Sequence, residues 1–267
     1  MMEFDFVGII GLGYVGQAIN ENCDVMTRVI IIDPAKGYPA NYAALKETDG
    51  VFVCVPTPYG DDGSCDTSIL RSVMDELKAV DYKGVIISKC TAPPSFYNEL
   101  GKEFPNLVYC PEFLTAANAV VDYASAKFLI IGGTVGAYIN EAKRIIAHTQ
   151  PNVEAVYGCS FADASLAKYA INSFLATKVV FMNELYQLAQ AQGADYQLIA
   201  RMMREDARIG SSHMKVPGPD GTFGFGGMCF PKDTSALLKH AESLGVVMNV
   251  LDAAVKKNTL LRLTDSK

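Results

Sequence analysis

Seven short apolar runs punctuate the first 157 residues, with stretches of helical spacing between them. Strands are predicted at 4–10, 28–33, 50–55, 84–88, 106–110, 128–133 and 153–156, and helices at 14–22, 66–80, 95–103 and 137–149. Apolar strands alternating with helices imply a mostly parallel sheet with helices on both faces. This places the chain in the α/β class and limits its first part to a doubly wound architecture.

The pattern changes near residue 158. From Phe161 to Gln192 there is no Gly or Pro, and apolar residues recur at three and four, which predicts one long helix. Gly193 is placed to end it. Further helices are predicted at 195–207, 233–243 and 248–263. The reading is therefore two domains, 1–157 and an all-helical 158–267. Between the later helices, residues 211–233 are dense in Gly and Pro, which suits close approach of backbone to a ligand.

One local motif gives the first domain a Rossmann-like, dinucleotide-binding reading. Gly11-Leu12-Gly13-Tyr14-Val15-Gly16 follows an apolar strand and opens a helix, and Asp33 closes the next strand 20 residues beyond Gly13. Gly11 permits the tight turn, Gly13 lets backbone approach a pyrophosphate, and Gly16 lets helix pack on strand. The helix start offers free N–H groups and partial positive charge to phosphates. Asp33 suits two ribose hydroxyls and repels a ribose phosphate, so NAD is expected over NADP; nearby Lys36 softens that preference. Val55, Pro56 and Thr57 after the third strand, Thr91 after the fourth, and Glu112, Phe113 and Leu114 after the fifth all lie where open parallel sheets bind ligands.

Cys229 stands apart from the other six cysteines, Cys23, Cys54, Cys65, Cys90, Cys110 and Cys159. It follows Gly226, Gly227 and Met228 and precedes a predicted helix, with Lys232 and Asp233 close behind. A helix start and a nearby Lys both favour a nucleophilic thiolate. A buried Cys in a Gly-rich loop is the plainer alternative. Lys168 and Asn172 are four apart on the long helix and share a face. On spacing alone they suit a solvated face as well as a cleft, where they would hold an oxyanion or move a proton.

Composition closes off other classes. Net charge is −6, from 29 acidic and 23 basic residues, which argues against a nucleic-acid partner. No Cys pair has CxxC spacing, so neither a metal site nor a disulfide framework is expected, and a reducing, cytoplasmic setting is. No apolar run approaches the roughly 18 residues of a membrane span, and the acidic N-terminus is not a signal peptide.

Taken together, GLGYVG, VPTP with DGSCDTS, SKCTAPPS, CPEFL, AKYAINSFLATKVVFMNE, RIGSSH and GFGGMCFPKD resemble the UDP-glucose/GDP-mannose dehydrogenase family, in the family's order. The resemblance implies oxidation of a nucleotide sugar's primary alcohol to a carboxylate, with two hydrides passed to two NAD molecules. Cys229 then corresponds to the cysteine that forms a thiohemiacetal and a thioester. Lys168 and Asn172 match the pair holding oxyanion and water, Asp233 the aspartate assisting base chemistry, and Thr91 and Glu112 the residues positioning water and substrate. Lys232 falls at a cofactor-side lysine, while Phe113, Leu114 and Gly227 lie in substrate-facing blocks. Arg208 matches an arginine that reaches a neighbouring subunit's sugar nucleotide, which implies a homodimer through the long helix.

Two departures accompany the resemblance. Ala116 stands where the family usually has a second glutamate. Family members also continue into a third α/β domain that binds most of the nucleotide, whereas this sequence stops at Lys267. The expectation is weak nucleotide-sugar affinity for this chain alone, or a partner supplying that half. Two other readings remain: a two-electron hydroxyacid dehydrogenase using Lys168, and a non-catalytic NAD-binding subunit.

Overall fold

The computed structural model of the chain describes residues 6–24, 27–60 and 63–264. Residues 4–5 of the first predicted strand lie outside them. Seven strands form one sheet: β1 (Phe6–Ile10), β2 (Arg28–Ile32), β3 (Gly50–Val53), β4 (Val85–Ser88), β5 (Leu107–Tyr109), β6 (Phe128–Gly133) and β7 (Ala155–Cys159). Their order is β2-β1-β3-β4-β5-β6-β7. Every neighbouring pair is parallel except β5 and β6. The chain moves outward from β1 to β2, then returns to β3 on β1's other side, so the winding reverses between β1 and β3. Ligands of such sheets bind at that reversal, beyond the carboxyl ends of the strands.

Period-two alternation sends each strand's side chains into two cores. Val51 and Val53 of β3 enter one with Ile86, Leu107 and Tyr109; Phe52 enters the other with Ile87, Val108 and Ile131. Helices α2 (Ser68–Ala79) and α3 (Pro94–Glu103) cover the first face. Helices α1 (Tyr14–Asn22), α4 (Ala119–Ala124) and α5 (Gly136–Ala147) cover the second. The doubly wound sheet read from the sequence is the sheet observed.

The chain divides into two compact units, residues 1–58 with 65–168, and 59–64 with 169–267. The dividing line thus falls later than residue 157. β7 runs on to Cys159, and the first turns of the next helix, α6 (Phe161–Gln192), pack with the sheet unit. Phe161 lies 5.8 Å from the Tyr97 ring, and Ser165 donates to Ala92 O at 2.6 Å.

The regular elements described in the second unit are all helices: the rest of α6, α7 (Tyr196–Glu205), α8 (Phe230–Ser243) and α9 (Asn249–Thr264). Gly193, at φ +74, ends α6, and the Asp195 carboxylate caps α7 by accepting from Gln197 N and Leu198 N. α8 begins at Phe230, three residues before the predicted start. Pro231 occupies its first turn, where a fixed φ and a missing N–H cost nothing. Among the described residues, no helix is long and apolar enough to cross a membrane.

Candidate active site

In the sheet unit, the turn after β1 is built by steric demand. Gly11 has φ +89, and a Cβ there would lie 2.7 Å from Cys54 O. A Cβ on Gly16 would lie 2.0 Å from Gly11 O, so α1 could not sit this close to the turn with any larger residue. Gly13 differs: a Cβ there would meet nothing within 4 Å. It begins α1 in extended conformation with no side-chain cap. Open space therefore faces uncapped helix N–H groups, the arrangement that receives a pyrophosphate. Tyr14 is exposed beside it and Val15 half-buried. Asp33 stands at the end of β2, where its Oδ2 accepts from Leu12 N at 2.8 Å. Lys36 donates to Leu12 O, so both residues brace the turn.

After β3, Val55 is half-buried, Pro56 exposed and Thr57 buried. After β4, Thr91 O accepts from the Cys65 thiol at 3.3 Å. After β5 lies a polar cluster built on Glu112. Glu112 Oε1 accepts from Phe113 N at 2.9 Å, and Oε2 lies 3.1 Å from Lys89 Nζ. Lys168 Nζ donates to the Glu112 carbonyl and sits 4.9 Å over the Phe113 ring. Leu114 packs against the core between β1 and α5. Ala116 opens a short 3-10 turn, Ala116–Asn118.

Lys89 was missed by sequence reasoning. Its side chain is wholly buried. Burial acts to lower its pKa, but the Cys110 sulfur, Glu112 and Tyr123 facing it outweigh that and raise it. Burial also pushes the Cys110 thiol up, which leaves the 3.1 Å ion pair with Glu112 as the charged contact of Lys89. The hint in the sequence is a lysine directly after a strand, VIIS, that is apolar up to its last residue. Its partner comes 23 residues later, at the end of the adjacent strand.

In the helical unit, Cys229 is the N-cap residue of α8 and is exposed, while the other six cysteines are buried or half-buried. Asp233, one turn into α8, is buried. Its Oδ2 accepts from Asn172 Nδ2 at 2.6 Å, and its Oδ1 accepts from Lys232 Nζ at 2.6 Å. Lys232 is thus held by a carboxylate one residue on. Gly227, at φ +76, borders open space, and Met228 is exposed. Arg208 is also exposed and grips Asp206, with Nε 2.9 Å from Oδ1. The predicted site residues therefore form two groups. Glu112, Phe113 and Lys168 gather in the sheet unit, and Asn172, Lys232 and Asp233 gather in the helical unit beside the helix that starts at Cys229.

A glycine-built strand–helix turn at the reversal of a parallel sheet, with an acidic residue ending the neighbouring strand, defines a Rossmann-type dinucleotide-binding protein. This chain belongs to the UDP-glucose/GDP-mannose dehydrogenase family: the family's NAD-binding domain matches residues 39–150 and its central domain 162–260. The Gly11–Gly16 turn precedes the matched span, so its reading rests on its own geometry. The UDP-glucose 6-dehydrogenase of Pseudomonas aeruginosa is 34% identical over 227 residues, 80% of this chain and 49% of that protein. The chain spans about half the length of the curated relatives it matches. A UDP-glucose dehydrogenase structure from Pyrobaculum islandicum superposes with TM-score 0.79 at 26% identity, covering 97% of this chain and 68% of that one. The 3-hydroxyisobutyrate dehydrogenase of Mycobacterium tuberculosis, solved with L-serine, shares the fold at TM-score 0.73 and 18% identity, covering 95% and 92%.

Proposed function

We propose that the chain carries the catalytic residues of an NAD-dependent nucleotide-sugar dehydrogenase, which oxidises a primary alcohol to a carboxylate. The observation that supports this most is Cys229: an exposed thiol at the start of α8, with the Asn172–Asp233 pair on the same unit. A two-electron alcohol oxidation has no use for such a thiol, whereas a four-electron one does. NAD, held at the Gly11–Gly16 turn, would supply the hydride acceptor. The other tasks fall to this chain. Lys168 and Asn172 stabilise the alkoxide and the later oxyanion. The Cys229 sulfur adds to the aldehyde carbon, and loss of a second hydride leaves a thioester. Asp233 takes a proton from the water that displaces the sulfur, and the thiol is restored. In balance, one alcohol, one water and two NAD cations give one carboxylate, two NADH and three protons.

Thr91 and Glu112 position substrate and water, and Lys232 meets the cofactor side. Gly11, Gly13, Tyr14, Val15, Gly16, Asp33, Lys36, Val55, Pro56 and Thr57 carry the NAD. The helical unit dimerises through α6, whose Phe174, Phe181 and Leu188 are exposed at seven-residue spacing. Arg208 reaches the neighbour's substrate. The seven cysteines, with no disulfide among the described residues, suit the cytoplasm.

The fold shared with a hydroxyacid dehydrogenase over nearly its whole length supports a second reading, a single hydride transfer with Lys168 as acid and base. Counting NADH released per UDP-glucose consumed separates the readings. Two NADH, with loss of turnover and a trappable aldehyde in Cys229→Ser, are expected. One NADH and an unaffected Cys229→Ser variant would favour the hydroxyacid reading. No NADH from a panel of UDP- and GDP-sugars would leave a non-catalytic NAD-binding subunit.

A further inference from the structure

We propose that Asn258, on α9, is a positioning residue for Cys229; the inference rests on the thioester reading of that cysteine. The segment leading to the sulfur contains Gly224, Gly226 and Gly227, the residue type that loses most backbone freedom on ordering. A nucleophile cannot work from a loop that wanders, because placement errors of about 1 Å cost rate steeply. Something must hold this loop, and the structure shows what does.

Asn258 is 8% exposed. Its Oδ1 accepts from Phe225 N at 2.6 Å, and its Nδ2 donates to Phe225 O at 3.0 Å. One buried amide thus satisfies both polar groups of a single loop residue, as a neighbouring strand would. The adjoining Gly224 N donates to Asn183 Oδ1 at 3.1 Å. Gly224 has φ +74, and a Cβ there would lie 2.3 Å from Asn258 Oδ1, so the clamp requires glycine at that point. The Phe225 ring packs edge-on against Phe230, 6.2 Å away, the first residue of α8. Cys229 O accepts from Asp233 N at 2.8 Å, so the residue is tied to α8, and three residues, 226–228, separate it from the clamped Phe225.

The clamp predicts an effect on catalysis separate from cofactor binding, because the Gly11–Gly16 turn belongs to the sheet unit. In Asn258→Ala, hydrogen exchange across 224–229 rises about tenfold or more, and kcat falls about tenfold or more with the KM for NAD unchanged. Asn258→Asp keeps an acceptor for Phe225 N–H and loses the donor, so it falls between; it carries the test if the alanine variant does not fold. Lys256→Ala, exposed on the same helix, changes neither reading. Unchanged exchange in Asn258→Ala overturns the proposal. So does raised exchange with kcat within about twofold of the parent, or kcat and NAD KM worsening together, which marks a general structural role. If the parent chain forms no NADH, the dehydrogenase reading falls and a nitroxide on the exposed Cys229 decides placement. A spectrum that sharpens in Asn258→Ala supports the clamp, and an unchanged one refutes it.

Discussion

Gly13 and Gly16 sit three residues apart in one turn and answer different demands. At Gly16 a methyl group would strike Gly11 O at 2.0 Å, whereas at Gly13 it would enter empty space at the mouth of α1. Gly13 also has φ −70, which alanine adopts freely. Gly13→Ala is therefore expected to change stability by less than about 1 kcal/mol in urea unfolding, while calorimetry shows NAD affinity falling about tenfold or more. Unaltered affinity would mean that phosphates do not approach there. Lys89 gives a second residue-scale prediction. Lys89→Met leaves the half-buried Glu112 without its cation, which costs about 3 kcal/mol in chemical unfolding. Adding Glu112→Gln should recover most of that loss; a double variant no more stable than the single would show that the pair is not the cause. The sequence made Glu112 legible as a strand-end residue but hid Lys89. Their meeting depends on β4 and β5 ending in register, with Ser88 opposite Tyr109.

Elements were legible where periodicity was long. The bounds of α6 agree with the reading from spacing alone, because a 32-residue run without Gly or Pro has one simple solution. α4 was not legible: AVVDYA is too short to show a period. It is held from outside, with Asn22 Nδ2 donating to Val120 O at 3.1 Å and Tyr123 Oη 2.9 Å from Thr149 Oγ1. In α6, Phe174, Phe181 and Leu188 are 68%, 56% and 64% exposed, more apolar surface than a helix facing only water would carry. Replacing Phe174 and Phe181 with Asp is expected to turn a dimer into a folded monomer by light scattering. A parent chain that is already monomeric at micromolar concentration would contradict this use of the helix.

Across the whole molecule, charge state sets how stability responds to acid. Burial first, and Lys178 second, lower the pKa of His213. Below about pH 6.5 the unfolded chain gains a proton there that the folded chain resists, so this contribution is complete above that pH and is lost toward the lower folded value. Several carboxylates near the surface titrate low as well: Glu103 through Arg71, Asp163 through Ser160 and Asp206 through Arg208. Their contributions are present above the ordinary carboxylate range near pH 4 and vanish as pH falls through their lower folded values. The urea midpoint should therefore hold steady from about pH 8 to 6.5, decline gently below that as His213 titrates, and drop again below about 4. His213→Gln is expected to remove the gentle stage alone. A midpoint that rises on acidification would show that the signs are wrong.

What the residues determined unaided is whatever local spacing encodes. Apolar runs at strand length, a glycine turn before a helix, a long unbroken helical period and one cysteine at the edge of a Gly-rich loop were all readable in order. Tertiary structure decided the pairings: Lys89 with Glu112, Lys168 with the Glu112 carbonyl, Asn172 with Asp233, and Asn258 with Phe225. It also turned β6 antiparallel and carried the first turns of α6 into the sheet unit. These partners lie tens of residues apart. A hydrogen bond holds only within a few tenths of an ångström, so strand register and helix packing choose who meets whom. No periodicity in the chain carries that information.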